Sequence, residues 1–176
     1  MDNDPTPEKE SARWDSIDPK SNDIDDILLM QNRDESGKFG SRLQKHHIEK
    51  LRASQMQGMI LRRGKLPLGF ALWTTELKGE GLDGPALHIE ALDVVKNARN
   101  AITTLKFIEA LREHAEQESV QYITWAPASE DIDYMDSISE KIRANLYGGP
   151  YYTIPVSHLN KDVLIEMLPQ RRNKHE

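Results

Sequence analysis

Apolar positions recur along this chain at two spacings, the alternation of a strand and the three-to-four interval of a helix, and each change of spacing marks an element. The clearest pattern lies between Ala86 and Glu118. Leu87 to Val95 (LHIEALDVV) is mostly apolar and rich in β-branched side chains, as a strand in a sheet interior is. Lys96 to Asn100 (KNARN) breaks it. Ala101, Leu105, Ile108, Leu111 and Ala115 then recur at helical spacing, with Lys106, Glu109, Arg112, Glu113 and Glu116 between them. Asn100 stands where an N-cap side chain accepts one of the first free amides. Val120 to Trp125 reads as another strand. Strand, tight turn, helix and strand make a crossover unit, whose first turn presents a helix N-terminus to anionic ligands.

On the N-terminal side, Trp14 to Ile17 reads as a short extended segment, and Ser21-Asn22-Asp23 caps a helix over Ile24 to Gln31 with Ile24, Ile27 and Leu28 as its apolar stripe. Asn32 to Gly40 is a polar loop. Ser41 to Ser54 carries a narrow helical stripe of Leu43, His47, Ile48 and Leu51. Gln57 to Leu77 reads as a hairpin: Met59 to Arg62, a turn at Arg63-Gly64-Lys65, then Leu68 to Thr74. Lys78 to Pro85 connects it to the central strand.

Beyond Trp125, Ser129 to Asn145 has Ile132, Met135, Ile138 and Ile142 at helical spacing, and Gly148-Gly149-Pro150 stops it. Tyr151 to Val156 is a strand whose Pro155 places it at an edge or beside a bulge, a position open to pairing with another copy. Val163 to Leu168 fits a short helix or a final strand equally well. Residues 1–13 read as a disordered acidic tail, 14–169 as one domain and 170–176 as a polar tail.

This order of elements belongs to an α/β protein with a mixed sheet and helices on both faces. A length of 176 residues suits one domain with a substantial core. Charged residues at 30% and a mean hydropathy of −0.66 are those of a soluble chain. No apolar run reaches the length of a membrane span, and no leader pattern opens the chain, so the expectation is a cytoplasmic protein without membrane contact. The net charge of −6 argues against binding nucleic acid through phosphate neutralisation. The absence of cysteine excludes disulfides, thiolate metal sites and cysteine nucleophiles. The histidines are scattered, so no metal site is expected. His46 and His47 point about 100° apart on a helix and read as ordinary surface and boundary residues. Arg62, Arg63 and Lys65 read as a solvated hairpin tip.

Three strings carry a resemblance to the GNAT superfamily of acyl-CoA-dependent N-acyltransferases: LGFALWTT, with its glycine-aromatic pair in the third strand; LHIEALDVV followed by LKFIEALREHAE; and LYGGPYYTIPV. The order of elements resembles the family from Trp14 to Leu168. The resemblance implies a GNAT-like, mainly antiparallel central sheet and a site for acetyl-CoA at the start of the helix after the fourth strand. It assigns Val94, Val95, Arg99, Ala101, Ile102, Thr103 and Thr104 to that site. The family's glycine-rich loop is degenerate here: Arg99 takes the basic position with Ile102 and Thr104 where glycines bare the backbone to the pyrophosphate, or a shift by one puts Ala98, Ala101 and Thr103 there and loses the arginine. The amides at the helix start remain, and the Thr103 or Thr104 hydroxyl would donate to a phosphate. Glu90 and His88, two residues apart on one strand face, fall where the family carries its general base. Tyr147 and Tyr134 are the phenols nearest the family's acid.

Two functions follow from the resemblance. One is acetyl transfer from acetyl-CoA to a primary amine, with Glu90 as base, His88 beside it and Tyr147 as acid. The other is a pseudoenzyme, a binding or structural protein that has lost the cofactor site and acts on a protein partner, such as an assembly or regulatory factor carried by a virus or plasmid.

Overall fold

The computed structural model describes residues 11–33, 43–77, 81–126, 145–146 and 151–159, with positions 162 and 166. Expectations for the far N-terminal tail, the loop after Arg33, the helix at 129–144, Tyr134, Tyr147, the glycine stop at 148–150, the run at 163–168 and the C-terminal tail lie outside them, wholly or for the most part.

Among the described residues, seven strands form one sheet in the order β1-β2-β3-β4-β5-β7-β6. They are β1 (Arg13–Ser16), β2 (Gln57–Arg63), β3 (Leu66–Glu76), β4 (Ala86–Val94), β5 (Tyr122–Trp125), β6 (Asn145–Leu146) and β7 (Tyr152–Pro155). All neighbouring pairs are antiparallel except β4 with β5, which the crossover helix α3 (Ala101–Gln117) makes parallel. Helices α1 (Asp23–Arg33) and α2 (Lys45–Arg52) precede the β2–β3 hairpin. Gly64 turns that hairpin at φ 59°, a conformation that costs other residues strain.

Strand alternation divides the core between the two sheet faces. Met59, Leu61, Ala71, Trp73, Leu87 and Ile89 pack with Phe107, Ile108, Leu111 and Ala115 of α3. Ile60, Phe70, Leu72 and Ala91 pack on the other face with Ile24, Ile27 and Met30 of α1 and with Ile48 and Leu51 of α2. Helices therefore cover both faces, as the element order implies. Phe70 follows Gly69, whose bare backbone lets β4 approach: a Cβ there would sit 2.7 Å from the Asp93 carbonyl oxygen.

Several sequence expectations shift at their edges. Arg13, assigned to the tail, already belongs to β1 and pairs with Arg62, while the Ala12 carbonyl accepts from Lys106 Nζ at 3.1 Å. Asn145, assigned to a helix end, lies in β6 and pairs with Thr153 of β7. Pro155 pairs with Tyr122 on one side; β6 reaches only Thr153 and Tyr152 on the other, so β7 is an inner strand and tolerates proline where β6 does not reach. On α3 the buried stripe is Thr103, Thr104, Phe107, Ile108, Leu111 and Ala115, rotated from the expected one. The large Phe107 turns inward against Trp14, with ring centroids 5.1 Å apart. No helix among the described residues is long and apolar enough to cross a membrane.

Candidate active site

The site is built where β4 and β5 part. β5 pairs with β4 only from Ala86 to Ile89, while β4 runs on to Val94. At the same level β4 bulges: Leu72 pairs with Ala91 and Trp73 with Ile89, so Glu90 is the extra residue. The bulge changes the parity of the strand. Leu87 and Ile89 before it, and Leu92 and Val94 after it, all face α3. Glu90 and its neighbour Ala91 therefore both belong to the opposite face. A cavity of about 210 Å³ opens in the gap, lined by His47, His88, Glu90, Leu92, Trp125 and Ala126 among others.

Glu90 enters this cavity with several donors around its carboxylate. The Thr74 hydroxyl donates to Oε1 at 3.2 Å, and Lys50 Nζ lies 4.0 Å from the same oxygen. His47 Nε2 stands 3.6 Å from Oε2. That is too long for a hydrogen bond but close enough to orient charge and dipole. Glu90 and His88 share a face, as the strand spacing predicts, yet each takes its hydrogen bond from a neighbouring strand. His88 Nδ1 is 2.7 Å from the Thr124 hydroxyl on β5, and its ring meets the Tyr151 ring edge-on at 4.8 Å.

His47 is the residue that the sequence reading passed over. It is 5% exposed on α2, and its Nδ1 accepts the Gln44 amide at 3.0 Å. An acceptor at Nδ1 puts the proton of the neutral ring on Nε2, the nitrogen that faces Glu90. Its neighbour His46 is not splayed away, because the two ring centroids are 4.1 Å apart. His46, His47 and Glu90 bring ligand atoms within 4.8 Å of one another, a cluster invisible in the sequence because Glu90 arrives from a distant strand. A cation there would need the Nε2 lone pair of His47, and the Gln44 amide already claims the other nitrogen as acceptor. The tautomer therefore opposes a metal.

Burial pushes the pKa of His47, His88 and His114 below the ordinary imidazole value of 6.5. Nearby carboxylates pull in the other direction without reversing this. The unfolded chain then binds more protons than the folded one as pH falls below the ordinary value. Stability from these groups is fully present above that value and is lost as pH falls through the folded pKa values. Each proton taken up only on unfolding costs about 1.4 kcal/mol per pH unit. Thermal melts should show the midpoint falling from pH 7 towards pH 5, and His88→Gln combined with His114→Gln should flatten that slope. A midpoint independent of pH over this range would contradict the buried neutral state.

The start of α3 has the expected cap: Asn100 Oδ1 accepts the Thr103 amide at 2.9 Å. The Thr104 amide goes to the Asn100 carbonyl. The amides of Ala101 and Ile102 have no acceptor among the described residues. Thr103 and Thr104 are 5% and 3% exposed, so their side chains face inward rather than towards a surface phosphate. Ile102 faces out at 57% exposure. Arg99 folds back towards β4, where Nε donates to the Val94 carbonyl at 2.8 Å and Nη2 lies 3.7 Å from Asp93 Oδ1. Val94 is fully buried, and the Val95 amide bonds the Leu68 carbonyl.

This architecture is a GNAT-like fold, as comparison with solved structures shows. The sequence matches no protein-family model and no curated protein. Solved structures match through their fold. An aminoglycoside N(6′)-acetyltransferase from Legionella pneumophila aligns with a TM-score of 0.60 at 10% identity, over 86% of this chain and 95% of that one. The aminoglycoside N-acetyltransferase AAC(6′)-Iy, solved in complex with CoA, aligns at 0.55 with 15% identity over 78% and 88%. The AtaT toxin, solved with the C-terminus of the antitoxin AtaR and acetyl-CoA, aligns at 0.55 with 8% identity over 84% and 95%.

Proposed function

We propose that this chain is an N-acyltransferase that moves an acetyl group from acetyl-CoA to a primary amine bound beside Glu90. The observation that carries the reading is the placement of Glu90: a bulge on β4 sets its carboxylate in a cavity at the point where β4 and β5 separate. Structural likeness to an aminoglycoside N-acetyltransferase solved with CoA and to the AtaT toxin solved with acetyl-CoA supports it.

The residues fit the donor in part. The open amides of Ala101 and Ile102, at the positive end of the α3 dipole, suit a phosphate. The length of β4 beyond β5 suits an extended chain laid along the strand. Acetyl-CoA supplies an acyl group already activated as a thioester. The chain's own work is to hold an amine in line with that group and to take its proton. Glu90 accepts the proton; the cavity walls of His88, Leu92 and Trp125 exclude water and orient the acceptor. Tyr147 is the proposed acid.

Calorimetric titration with acetyl-CoA, using CoA and ATP as controls, tests the first step, and thiol release across a panel of amines tests the second. Micromolar binding with amine-dependent thiol release is expected. No heat and no thermal shift at millimolar acetyl-CoA would sink the enzyme. One observation favours the competing reading, a binding protein without a cofactor: the Arg99 side chain is engaged by Val94 and Asp93 rather than turned towards the α3 amides. Ile102→Gly separates the two. It bares the amides at little cost to the helix end and should tighten acetyl-CoA binding several-fold in an enzyme. No change would mean that the start of α3 is not the phosphate seat.

A further inference from the structure

We propose that His47 is a positioning residue for Glu90, a neutral imidazole set between the N-cap backbone of α2 and the carboxylate in the cavity. The inference rests on the reading of Glu90 as general base, and nothing in the strand patterns or in the GNAT resemblance assigns a role to this histidine.

The geometry is one hydrogen bond to the ring and one close approach of the ring to the carboxylate. The Gln44 amide donates to Nδ1 at 3.0 Å, which leaves the proton on Nε2, and Nε2 stands 3.6 Å from Glu90 Oε2. Thr74 holds the other oxygen at 3.2 Å from the opposite side. The carboxylate thus lies between β3 and α2, at the wall of the cavity. His47 has little room to turn, because Ile48 and Leu51 anchor α2 on the core and the ring is itself buried. Among the described residues, the charged and titratable groups that face it are His46 and Lys50 on its own helix and Glu90 on β4. Protonation of His47 would place a second N–H against the Gln44 amide and break the contact that orients the ring. The arrangement therefore holds only while His47 is neutral.

The test is a set of variants of the full chain read in two independent ways. His47→Leu, which keeps bulk but has no donor or acceptor, should lower kcat about 10- to 100-fold with the KM for acetyl-CoA unchanged. His47→Gln should recover most of that loss, since its amide oxygen can accept from Gln44 and its amide nitrogen can face Glu90. Nitrogen-15 spectra of the labelled imidazoles give the second readout, which needs no activity: His47 should be the Nε2–H tautomer, and Glu90→Gln should shift its Nε2 signal. Equal loss in the leucine and glutamine variants, or a His47 protonated on Nδ1, would overturn the proposal. So would activity abolished by EDTA and restored by zinc, which would make the cluster a metal site. If wild type transfers no acyl group to any amine while the spectra show the expected tautomer and coupling, the function falls and the His47–Glu90 contact stands.

Discussion

Glu90→Gln is expected to lower acyl transfer at neutral pH by about a hundredfold or more, the usual contribution of a positioned general base. Glutamine keeps the shape of the side chain and can still accept from the Thr74 hydroxyl, so the bulge and the cavity wall should survive. Circular dichroism and the melting temperature would check that. The loss should appear in kcat and in kcat/KM alike, because what is removed is a proton acceptor needed only as the amine attacks. Acetyl-CoA affinity should stay near wild type, since the proposed donor seat is at the start of α3 and apart from Glu90. Unchanged turnover in a folded Glu90→Gln protein would remove Glu90 from its role and return His88 to candidacy.

Arg62→Ala should destabilise the fold by about 2 to 3 kcal/mol, because it leaves two partly buried carboxylates without their cation. Arg62 Nη2 bonds Asp23 Oδ1 at 2.7 Å and Asp26 Oδ2 at 2.8 Å, tying β2 to the first turn of α1. All three side chains are less than one-third exposed, at 17%, 18% and 31%. Burial works against ionised Asp23, but the Asp18 amide, Arg62 and Ser21 together outweigh it and hold its pKa below the usual carboxylate value. That contribution is present above the ordinary carboxylate range and is lost as pH falls through the folded pKa. For a chain of this size, the expected drop in melting temperature is about 5 to 10 °C. Arg62→Met with Asp23→Asn and Asp26→Asn should recover much of it by removing the stranded charges together. A melting temperature within a degree of wild type for Arg62→Ala would show that the clamp contributes nothing.

The sequence reads the hairpin tip as solvated, and Arg62 shows how far such a reading goes. A basic residue beside a turn is usually on the surface, and neither Asp23 nor Asp26 is near it in the chain. Their early position on α1 was legible as a favourable interaction with the helix dipole. Their second partner was not. His47 is the same case with a larger consequence. In its apolar stripe it stands with Leu43, Ile48 and Leu51, and the pattern reads it as an ordinary surface or boundary residue. Only the docking of α2 over β4 brings its ring to Glu90.

What the sequence determined by itself is local and periodic: the β2–β3 hairpin around Gly64, the β4 strand, the Asn100 cap and α3, and the shared face of His88 and Glu90. These depend on spacing and on backbone preferences that act within a few residues. What only the tertiary structure decided depends on register between strands. The bulge at Glu90 is a mismatch between β3 and β4, and the cavity exists because β5 stops pairing where that bulge begins. Arg99 folds back onto Val94 and Asp93, only a few residues away in the chain, and the polar run from Lys96 to Asn100 carries no record of that turn.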